Sequence, residues 1–204
     1  MKYKIGIIGS GNIGSGLATH LAKTTNEVLI ANRKGPESLT DIVSSIGGSL
    51  KASGLKETIE ASDVLFFAVP WGQLKALGKQ LEDYEGKIII DTSNNIVSVS
   101  PFQLEDIGSI STGEYVAKLF PKHRVVKAFN TLAAATLKQP TKNELGRTVI
   151  VISGDDADAK KEVAAITEAM GFAPVDTGTF AGGGKLQDIG GPFSGAELIK
   201  VGKR

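Results

Sequence analysis

The pattern of apolar and polar positions predicts short buried strands that alternate with amphipathic helices. Uniformly apolar runs such as residues 64–69 are typical of strands buried on both faces of a parallel sheet. Apolar residues spaced three and four apart predict helices between these runs. The strands are predicted at residues 4–8, 28–31, 49–52, 64–69, 88–90, 124–129, 147–152 and 172–175, and the helices at residues 17–22, 38–46, 74–81, 113–119 and 157–170.

This alternation predicts an α/β fold with a Rossmann-type doubly wound, mainly parallel sheet and helices on both of its faces. A chain of 204 residues is long enough to bury a sizeable core, and we expect a single domain. All the predicted strands lie within residues 1–177, which we interpret as the body of this domain. Residues 178–204 are rich in glycine and have little periodicity. We therefore predict that they form a short C-terminal arm packed on the same domain.

A glycine-rich turn lies between the first strand and the first helix. Residues 9–14 read G-S-G-N-I-G, which is the spacing that dinucleotide-binding proteins use in this position. Gly9 permits the tight turn, Gly11 lets the backbone approach a pyrophosphate, and Gly14 lets the helix pack close to the sheet. An ordinary glycine-rich strand–helix turn is the alternative interpretation. The predicted cofactor contacts in this turn are Gly9, Ser10, Gly11, Asn12 and Ile13. We therefore interpret residues 1–177 as a dinucleotide-binding domain.

The end of the second strand distinguishes the two nicotinamide cofactors. NAD sites tend to place an acidic residue there to hold the ribose hydroxyls, but this strand ends at Asn32, Arg33 and Lys34, with Glu27 before the strand and Glu37 beyond its tip. A guanidinium group can bind a 2′-phosphate through paired hydrogen bonds, whereas a carboxylate would repel it. We therefore predict NADP(H) rather than NAD(H). The alternative is that the two cations are a solvated loop pair.

Further polar and aromatic residues follow the fourth, fifth and sixth predicted strands. Ligands of an open parallel sheet bind beyond the carboxyl ends of the strands, so these segments are expected to meet the glycine turn. Trp71 could offer a flat face near the nicotinamide, or it could be a core residue. The asparagines could bind a carboxamide, or they could form turns and helix caps. The predicted site residues here are Val69, Pro70, Trp71, Asn94, Asn130, Thr131 and Leu132.

Composition excludes several classes of chemistry and partner. The net charge of +1 gives no reason to expect nucleic acid or a membrane surface as a partner. There is no cysteine, which removes thiolate metal sites and cysteine nucleophiles, and which fits a cytoplasmic location. The two histidines, His20 and His123, are far apart in sequence, so we predict no metal site.

The predicted site is poor in acid–base residues, and we assign no catalytic side chain. Hydride transfer between a nicotinamide and a flavin-like ring requires mainly face-to-face positioning, because the rings carry the chemistry. Oxidation of an alcohol usually requires a base as well. The composition of the site therefore favours a flavin-like hydride acceptor.

Four segments carry a resemblance to a known family: residues 9–14, Asn32-Arg33, Val69-Pro70-Trp71 and residues 125–132. Together they resemble the coenzyme F420-dependent NADP oxidoreductases over roughly residues 1–177. That family passes hydride between NADPH and the deazaflavin F420. The resemblance implies that Ser10 to Ile13 hold the pyrophosphate and that Asn32 and Arg33 hold the 2′-phosphate. It also implies that Pro70, Trp71 and the stretch from Asn130 to Ala133 line the nicotinamide and acceptor pocket.

Several functions remain open from the sequence. The leading hypothesis is an NADPH-dependent oxidoreductase whose small-molecule acceptor is F420, FMN or FAD. A catalytically silent NADPH-binding sensor also fits the lack of acid–base residues. A keto or imino reductase is a third hypothesis, although only 27 residues follow position 177, too few for the helical substrate domain of those enzymes. A homodimer across the last strand or the arm is also expected.

Overall fold

Nine strands form one twisted sheet in the computed structural model, which describes residues 2–202. Two further strands form a separate hairpin. The ends of the two predicted ranges, Met1, Lys203 and Arg204, lie outside the described residues. The strands are β1 (Lys4–Ile8), β2 (Glu27–Ala31), β3 (Leu50–Ala52), β4 (Val64–Phe67), β5 (Ile88–Asp91), β6 (Ile96–Val99), β7 (Phe102–Leu104), β8 (Arg124–Ala128), β9 (Gly146–Ser153), β10 (Ala173–Asp176) and β11 (Ile199–Val201).

The main path of the sheet runs β10-β9-β8-β5-β4-β1-β2-β3. The six strands from β8 to β3 are parallel, and the chain reverses its direction of winding between β1 and β4. The predicted doubly wound, mainly parallel sheet is confirmed. The order also places the carboxyl ends of β1 and β4 side by side, at the point where ligands of such sheets bind.

Strand β9 runs antiparallel to β8, and β10 runs parallel to β9. A parallel return from β8 would need a crossover element long enough to carry the chain back across the sheet. The connection contains only the four-residue helix α6 (Ala134–Leu137), which is about 6 Å long. The chain therefore stays at the carboxyl edge of β8 and re-enters the sheet in the opposite direction.

Helices cover both faces of the sheet and enclose two separate cores. Successive strand residues point to opposite faces, so Phe66 lies in one core and Phe67 in the other. The first core lies against α1 and α7, and the second lies against α4 and α5. The remaining helix bounds are α1 (Asn12–Leu21), α2 (Thr40–Ile46), α3 (Leu55–Ala61), α4 (Leu74–Gln80), α5 (Thr112–Leu119), α7 (Ala157–Ala169) and α8 (Phe180–Gly183).

Helix α3 and the hairpin β6–β7 are among the elements that the sequence did not predict. Helix α3 buries only Thr58 and Ile59 within its own span, so it has too few apolar positions to show a helical period. The hairpin β6–β7 keeps most of its apolar side chains exposed and shows no buried face in the sequence. In addition, the helix predicted at residues 38–46 is divided into a short 3-10 helix (Pro36–Leu39) and α2.

The glycine-rich C-terminal segment is more regular than expected. It contains α8, a 3-10 helix (Gly184–Leu186) and β11, which pairs antiparallel with β9. The division of the chain at residue 177 stays a prediction. None of the helices within residues 2–202 is both long and apolar enough to cross a membrane.

Candidate functional site

The three glycines of the turn between β1 and α1 differ in the space that surrounds them. Gly9 has a φ of +111°, and a Cβ on it would lie 2.2 Å from the carbonyl oxygen of Ala68. A Cβ on Gly14 would lie 2.0 Å from the carbonyl oxygen of Gly9. Around Gly11, by contrast, no described atom beyond its neighbours in the chain and in its own helix lies within 4 Å of the Cβ position. Two glycines are therefore required by the protein's own packing, while the third faces open space.

The amino end of α1 is open to a ligand. Gly11 precedes the helix and supplies no side-chain cap, and the first turn of the helix carries no acidic residue. The first N–H groups of a helix lack intrahelical partners and carry partial positive charge. This helix end is therefore suited to an anion such as a pyrophosphate.

Asn32 connects the glycine turn to the loop after β2. Its Nδ2 donates to Ser10 Oγ at 3.0 Å and to Ser38 Oγ at 3.0 Å, and its Oδ1 accepts the Lys34 N–H at 2.8 Å. These bonds fix the backbone from which Arg33 and Lys34 extend into solvent. Asn32 thus holds the loop, while the two cations after it remain free to meet a ligand.

A cleft of about 950 Å³ joins the glycine turn, the loop after β2 and the segment after β4. It brings together eight of the predicted site residues, and three apolar residues, Leu55, Ala76 and Leu77, form part of its wall. Among the described residues that line it, only Arg33 and Lys34 are ionisable, so the walls carry positive charge alone. The eight predicted residues are Gly9, Ser10, Gly11, Asn32, Arg33, Lys34, Val69 and Pro70.

The other predicted residues lie outside this cleft wall. Asn12 and Ile13 begin α1, and Ala133 lies immediately before α6. Asn94 and Asn130 follow β5 and β8 and are paired, because Asn130 Nδ2 donates to Asn94 Oδ1 at 3.1 Å. Thr131 and Leu132 are buried. Their predicted roles at the nicotinamide stay predictions.

Trp71 lies in the core rather than in the cleft. Its indole ring is 4% exposed and stacks on the ring of Tyr115 with centroids 5.1 Å apart. The indole Nε1 donates to Glu105. Of the two interpretations of Trp71, this geometry fits the core residue, since Tyr115 covers one face of the indole.

The loop that carries Asn130 begins with an unusual backbone conformation. Phe129 has a φ of +64°, a region that aromatic residues rarely occupy. Its ring is fully buried and packs against Phe66 and Phe172 at centroid distances of 5.7 and 6.0 Å. The turn at Phe129 directs the following residues along the carboxyl edge of the sheet.

A buried ion pair beneath the site was not predicted as such. Asp91 and Lys127 face each other across β5 and β8, and both side chains are 0% exposed. Lys127 Nζ donates to Asp91 Oδ2 at 2.7 Å and to the Ser93 carbonyl, while Asp91 Oδ1 accepts the Ser93 N–H at 3.0 Å. Asp91 therefore bonds both the buried cation and a loop N–H group. The cation inside the apolar run Val125–Phe129 was the available signal for this pair.

Lys138 is a second residue that the sequence analysis missed. Its Nζ donates to Asn12 Oδ1 at 3.2 Å, which places an exposed cation beside the open amino end of α1. The residue follows α6, which packs alongside α1. Its separation of 126 positions from Asn12 leaves no local pattern from which this contact could be predicted.

Neither histidine belongs to the cleft. Burial lowers the pKa of His20, whose Nε2 lies 2.8 Å from the carbonyl oxygen of Leu137, and burial likewise lowers the pKa of His123. His20 therefore holds two elements together rather than serving as a base. Within residues 2–202, no group of three acidic or histidine side chains is arranged to hold a metal ion.

The glycine turn at the winding reversal, the open helix end and the cationic cleft together define a Rossmann-type dinucleotide-binding protein. Residues 4–95 match the family model described as "NADP oxidoreductase coenzyme F420-dependent". This match covers a little less than half of the chain and confirms the resemblance predicted from its sequence.

Two curated proteins are also similar to this chain. Metalloreductase STEAP3 of Rattus norvegicus is 32% identical over 187 residues, which are 91% of this chain and 36% of the relative. The chain therefore spans little more than a third of that metalloreductase. The F420-dependent NADP reductase of Methanothermobacter marburgensis is 29% identical over 147 residues, which are 66% of each protein.

A solved structure shows the same fold over nearly the whole chain. The hypothetical protein SMa0349 of Sinorhizobium meliloti superimposes with a TM-score of 0.90 and 38% identity. The match covers 97% of this chain and 95% of that one. The match therefore includes most of the C-terminal arm.

Proposed function

We propose that this protein is an NADPH-dependent oxidoreductase that binds NADP(H) in the cationic cleft and passes hydride to a flavin or deazaflavin. The observation that carries the proposal is the charge of the cleft. Among its described lining residues, the ionisable groups are Arg33 and Lys34, and both stand where an NAD-specific protein tends to place an acid. The family name and the relatives' names supply the oxidoreductase chemistry.

The proposed position of NADP(H) follows from the order in which the loop after β2, the glycine turn and the ends of β5 and β8 lie along the site. The 2′-phosphate would lie at Arg33 and Lys34, with the adenine against the apolar wall at Leu55 and Leu77. The pyrophosphate would lie over Gly11 and the amino end of α1, where a Cβ is missing and the helix is uncapped. The nicotinamide would then reach the carboxyl ends of β5 and β8, beside Asn94 and Asn130.

The acceptor is proposed from what the cleft lacks. Among the described lining residues there is no histidine, tyrosine or acid to move a proton, and transfer between two rings does not require one from the protein. When bound, the acceptor would supply the redox chemistry, and this chain would orient its ring on the nicotinamide. F420, FMN and FAD are the candidate acceptors. A cytoplasmic setting and a homodimer belong to the same proposal.

The coenzyme preference is tested by Arg33→Ala. Loss of a charge-assisted bond to the 2′-phosphate should weaken NADPH binding about 10- to 100-fold and leave NADH binding nearly unchanged. Titration calorimetry with both coenzymes measures this. Lys23→Ala, which removes an exposed cation at the far end of α1, is the matched control and should alter neither affinity. Equal losses for NADPH and NADH in Arg33→Ala would contradict the assignment.

The acceptor is tested by following NADPH absorbance with F420, FMN and FAD in turn. Consumption of NADPH that depends on one of these rings supports hydride transfer. Tight NADPH binding without consumption by any of the three would support the NADPH sensor instead. The enzyme and the sensor both bind NADPH, but only the enzyme consumes it. The two outcomes therefore distinguish these hypotheses.

A further inference from the structure

A network of buried polar side chains connects the C-terminal segment to the asparagines at the carboxyl edge of the sheet. Gln187 is 0% exposed, as is Ser153 at the end of β9. Ser153 Oγ donates to Gln187 Oε1 at 2.5 Å, and Gln187 Nε2 lies 3.4 Å from Asn130 Oδ1. Asn130 in turn pairs with Asn94. A glutamine that is buried this completely indicates a specific task, because burying a polar group is costly unless its bonds are made.

Backbone carbonyls fix the orientation of each amide in the network. A carbonyl oxygen can only accept, so the atom that faces it must be the nitrogen of the amide. Gln187 Nε2 faces the Val151 oxygen at 2.8 Å, Asn130 Nδ2 faces the Gln187 oxygen at 2.9 Å, and Asn94 Nδ2 faces the Asn130 oxygen at 3.0 Å. None of the three amides can flip without placing an oxygen against an oxygen. The direction of every bond in the network is therefore determined.

The unused bonding capacity of the network is concentrated on Asn94. Both hydrogens of Asn130 Nδ2 are engaged, by Asn94 Oδ1 and by the Gln187 oxygen. Asn94 makes one donated and one accepted side-chain bond within the described chain, which leaves one N–H and one lone pair. The residue is half-buried. It therefore presents a donor and an acceptor side by side, which is the pattern complementary to a primary carboxamide.

We propose that Asn94 binds the nicotinamide carboxamide and that Gln187 is a positioning residue, which fixes the orientation of Asn94 through Asn130. This inference rests on the proposed function, since it needs NADP(H) in the cleft. It gives the C-terminal segment a role at the nicotinamide end of the site. Binding at the adenine end does not depend on this role. The Gln187 side chain bonds to Ser153, Val151 and Asn130, which do not line the cleft, so its effect on a ligand passes through the two asparagines.

The experiment compares NADP⁺ with 2′-phospho-ADP-ribose, which is the same molecule without the nicotinamide ring. Calorimetry gives both dissociation constants for wild type, Gln187→Met and Asn94→Ala. Wild type should bind NADP⁺ about tenfold more tightly than the fragment, as expected for one or two hydrogen bonds. Both variants should lose that preference while their affinity for the fragment stays within about twofold. The double variant should lose no more than either single one.

Two controls separate positioning from folding. Asp188→Ala removes the neighbouring contact of the same segment, where the carboxylate accepts the Thr112 N–H at 3.1 Å, and it should retain the preference for NADP⁺. Ser153→Ala removes only the hydroxyl that holds Gln187 Oε1, and it should reduce the preference in part even if Gln187→Met fails to fold. Thermal melting accompanies each titration.

The possible results are distinct. Preference retained in a folded Gln187→Met and in Ser153→Ala would overturn the positioning role. Preference lost equally in Asp188→Ala would show that the segment acts only as a cover, and would also overturn it. If the wild type binds NADP⁺ and the fragment equally, the carboxamide contact is rejected while the proposed function is not. A wild type that binds neither would reject the proposed function.

Discussion

Gly11 and Gly9 are two positions apart, but only one of them is needed for the fold. An alanine methyl group at Gly11 would enter open space where the pyrophosphate is proposed to lie. Gly11→Ala should therefore weaken NADPH binding at least about tenfold, because the ligand must move away from the helix end. The melting temperature should change little. Calorimetry with NADPH and thermal melting measure the two effects.

The matched comparison for this prediction is Gly9→Ala. That residue has positive φ, and its added methyl group would overlap the Ala68 carbonyl. The melting temperature of this variant should fall. If Gly11→Ala lowers the melting temperature as much as Gly9→Ala does, then Gly11 serves the fold and not the ligand.

Lys138 allows a prediction that contrasts with Arg33. Because it lies at the amino end of α1 beside Asn12, it would meet the pyrophosphate, which NADPH and NADH share. Lys138→Ala should weaken both coenzymes by the same factor, about three- to tenfold for an exposed cation. Lys23→Ala is again the control. A loss confined to NADPH would mean that Lys138 reaches the 2′-phosphate, contrary to the placement proposed above.

At the scale of elements, β5 and β8 are joined by the Asp91–Lys127 pair in addition to their backbone ladder. Lys127→Met would leave the Asp91 carboxylate buried without its cation, which costs about 3–5 kcal/mol. Urea unfolding should show this loss in the free energy of unfolding. The double variant Asp91→Asn with Lys127→Met should recover most of it. If the double variant is as unstable as Lys127→Met, the unpaired charge is not the cause.

Helix α7 is anchored to β8 by Arg124, which donates to Asp156 and Glu162 at 2.8 and 3.2 Å. The Arg124 guanidinium, followed by the Ala159 N–H, lowers the pKa of Asp156 from 3.8 to about 2. A lowered carboxyl pKa stabilises the fold above the unfolded value, and this contribution disappears as the pH falls through the folded value. Asp156 should therefore contribute fully above about pH 5 and hardly at all at pH 2.

Asp156→Asn tests this linkage, because asparagine keeps the cap on α7 and removes only the charge. The side chain is 38% exposed, so solvent screening limits the expected loss to about 1 kcal/mol at pH 7. The difference between wild type and variant should shrink between about pH 4 and pH 2. Asp158→Asn, whose partner Lys161 is as exposed as itself, should show little difference at any pH. A pH-independent difference for Asp156→Asn would reject the charge effect.

Elements with continuous apolar runs or long periods were predictable, and short half-exposed elements were not. Strand β1 and helix α7 agree with the prediction within about one residue, because their burial is strong and local. Strand β9 was recognised, but its antiparallel direction was not. That direction depends on the length of α6 and on which edge of the sheet the chain occupies. The apolar pattern indicates neither of these.

At the scale of the whole molecule, half of the candidate site follows from motif spacing. The glycine turn and the end of β2 are close in sequence, so their meeting is determined by one βαβ unit. Lys127 and Gln187 depend on distant pairings, across 36 residues to Asp91 and across 57 residues to Asn130. Predicting such partners requires knowledge of the strand register and of the path of the C-terminal segment. The residues of the proposed adenine end were therefore predictable, whereas the supports of the proposed nicotinamide end were not.

The homodimer is also a question for the whole molecule. Strand β10 is the last strand on its side of the main sheet path, and Val175 on it is 39% exposed. A second copy could extend the sheet at this edge or pack on the arm, as the sequence analysis expected. Sedimentation equilibrium should show a dimer, and Val175→Lys should weaken it if β10 is the contact, because a charge on an edge strand opposes pairing. A monomer in wild type would contradict the prediction.

The positive φ of Phe129 has one more consequence. A conformation of this kind costs about 1–3 kcal/mol and persists only where the surrounding structure enforces it. Here the burial of the Phe129 ring between Phe66 and Phe172 enforces it. The cost of shaping the loop is thus met when the core forms, before any small molecule arrives. An incoming coenzyme would find a preorganised receptor, and little of its own affinity would be consumed in ordering the polypeptide.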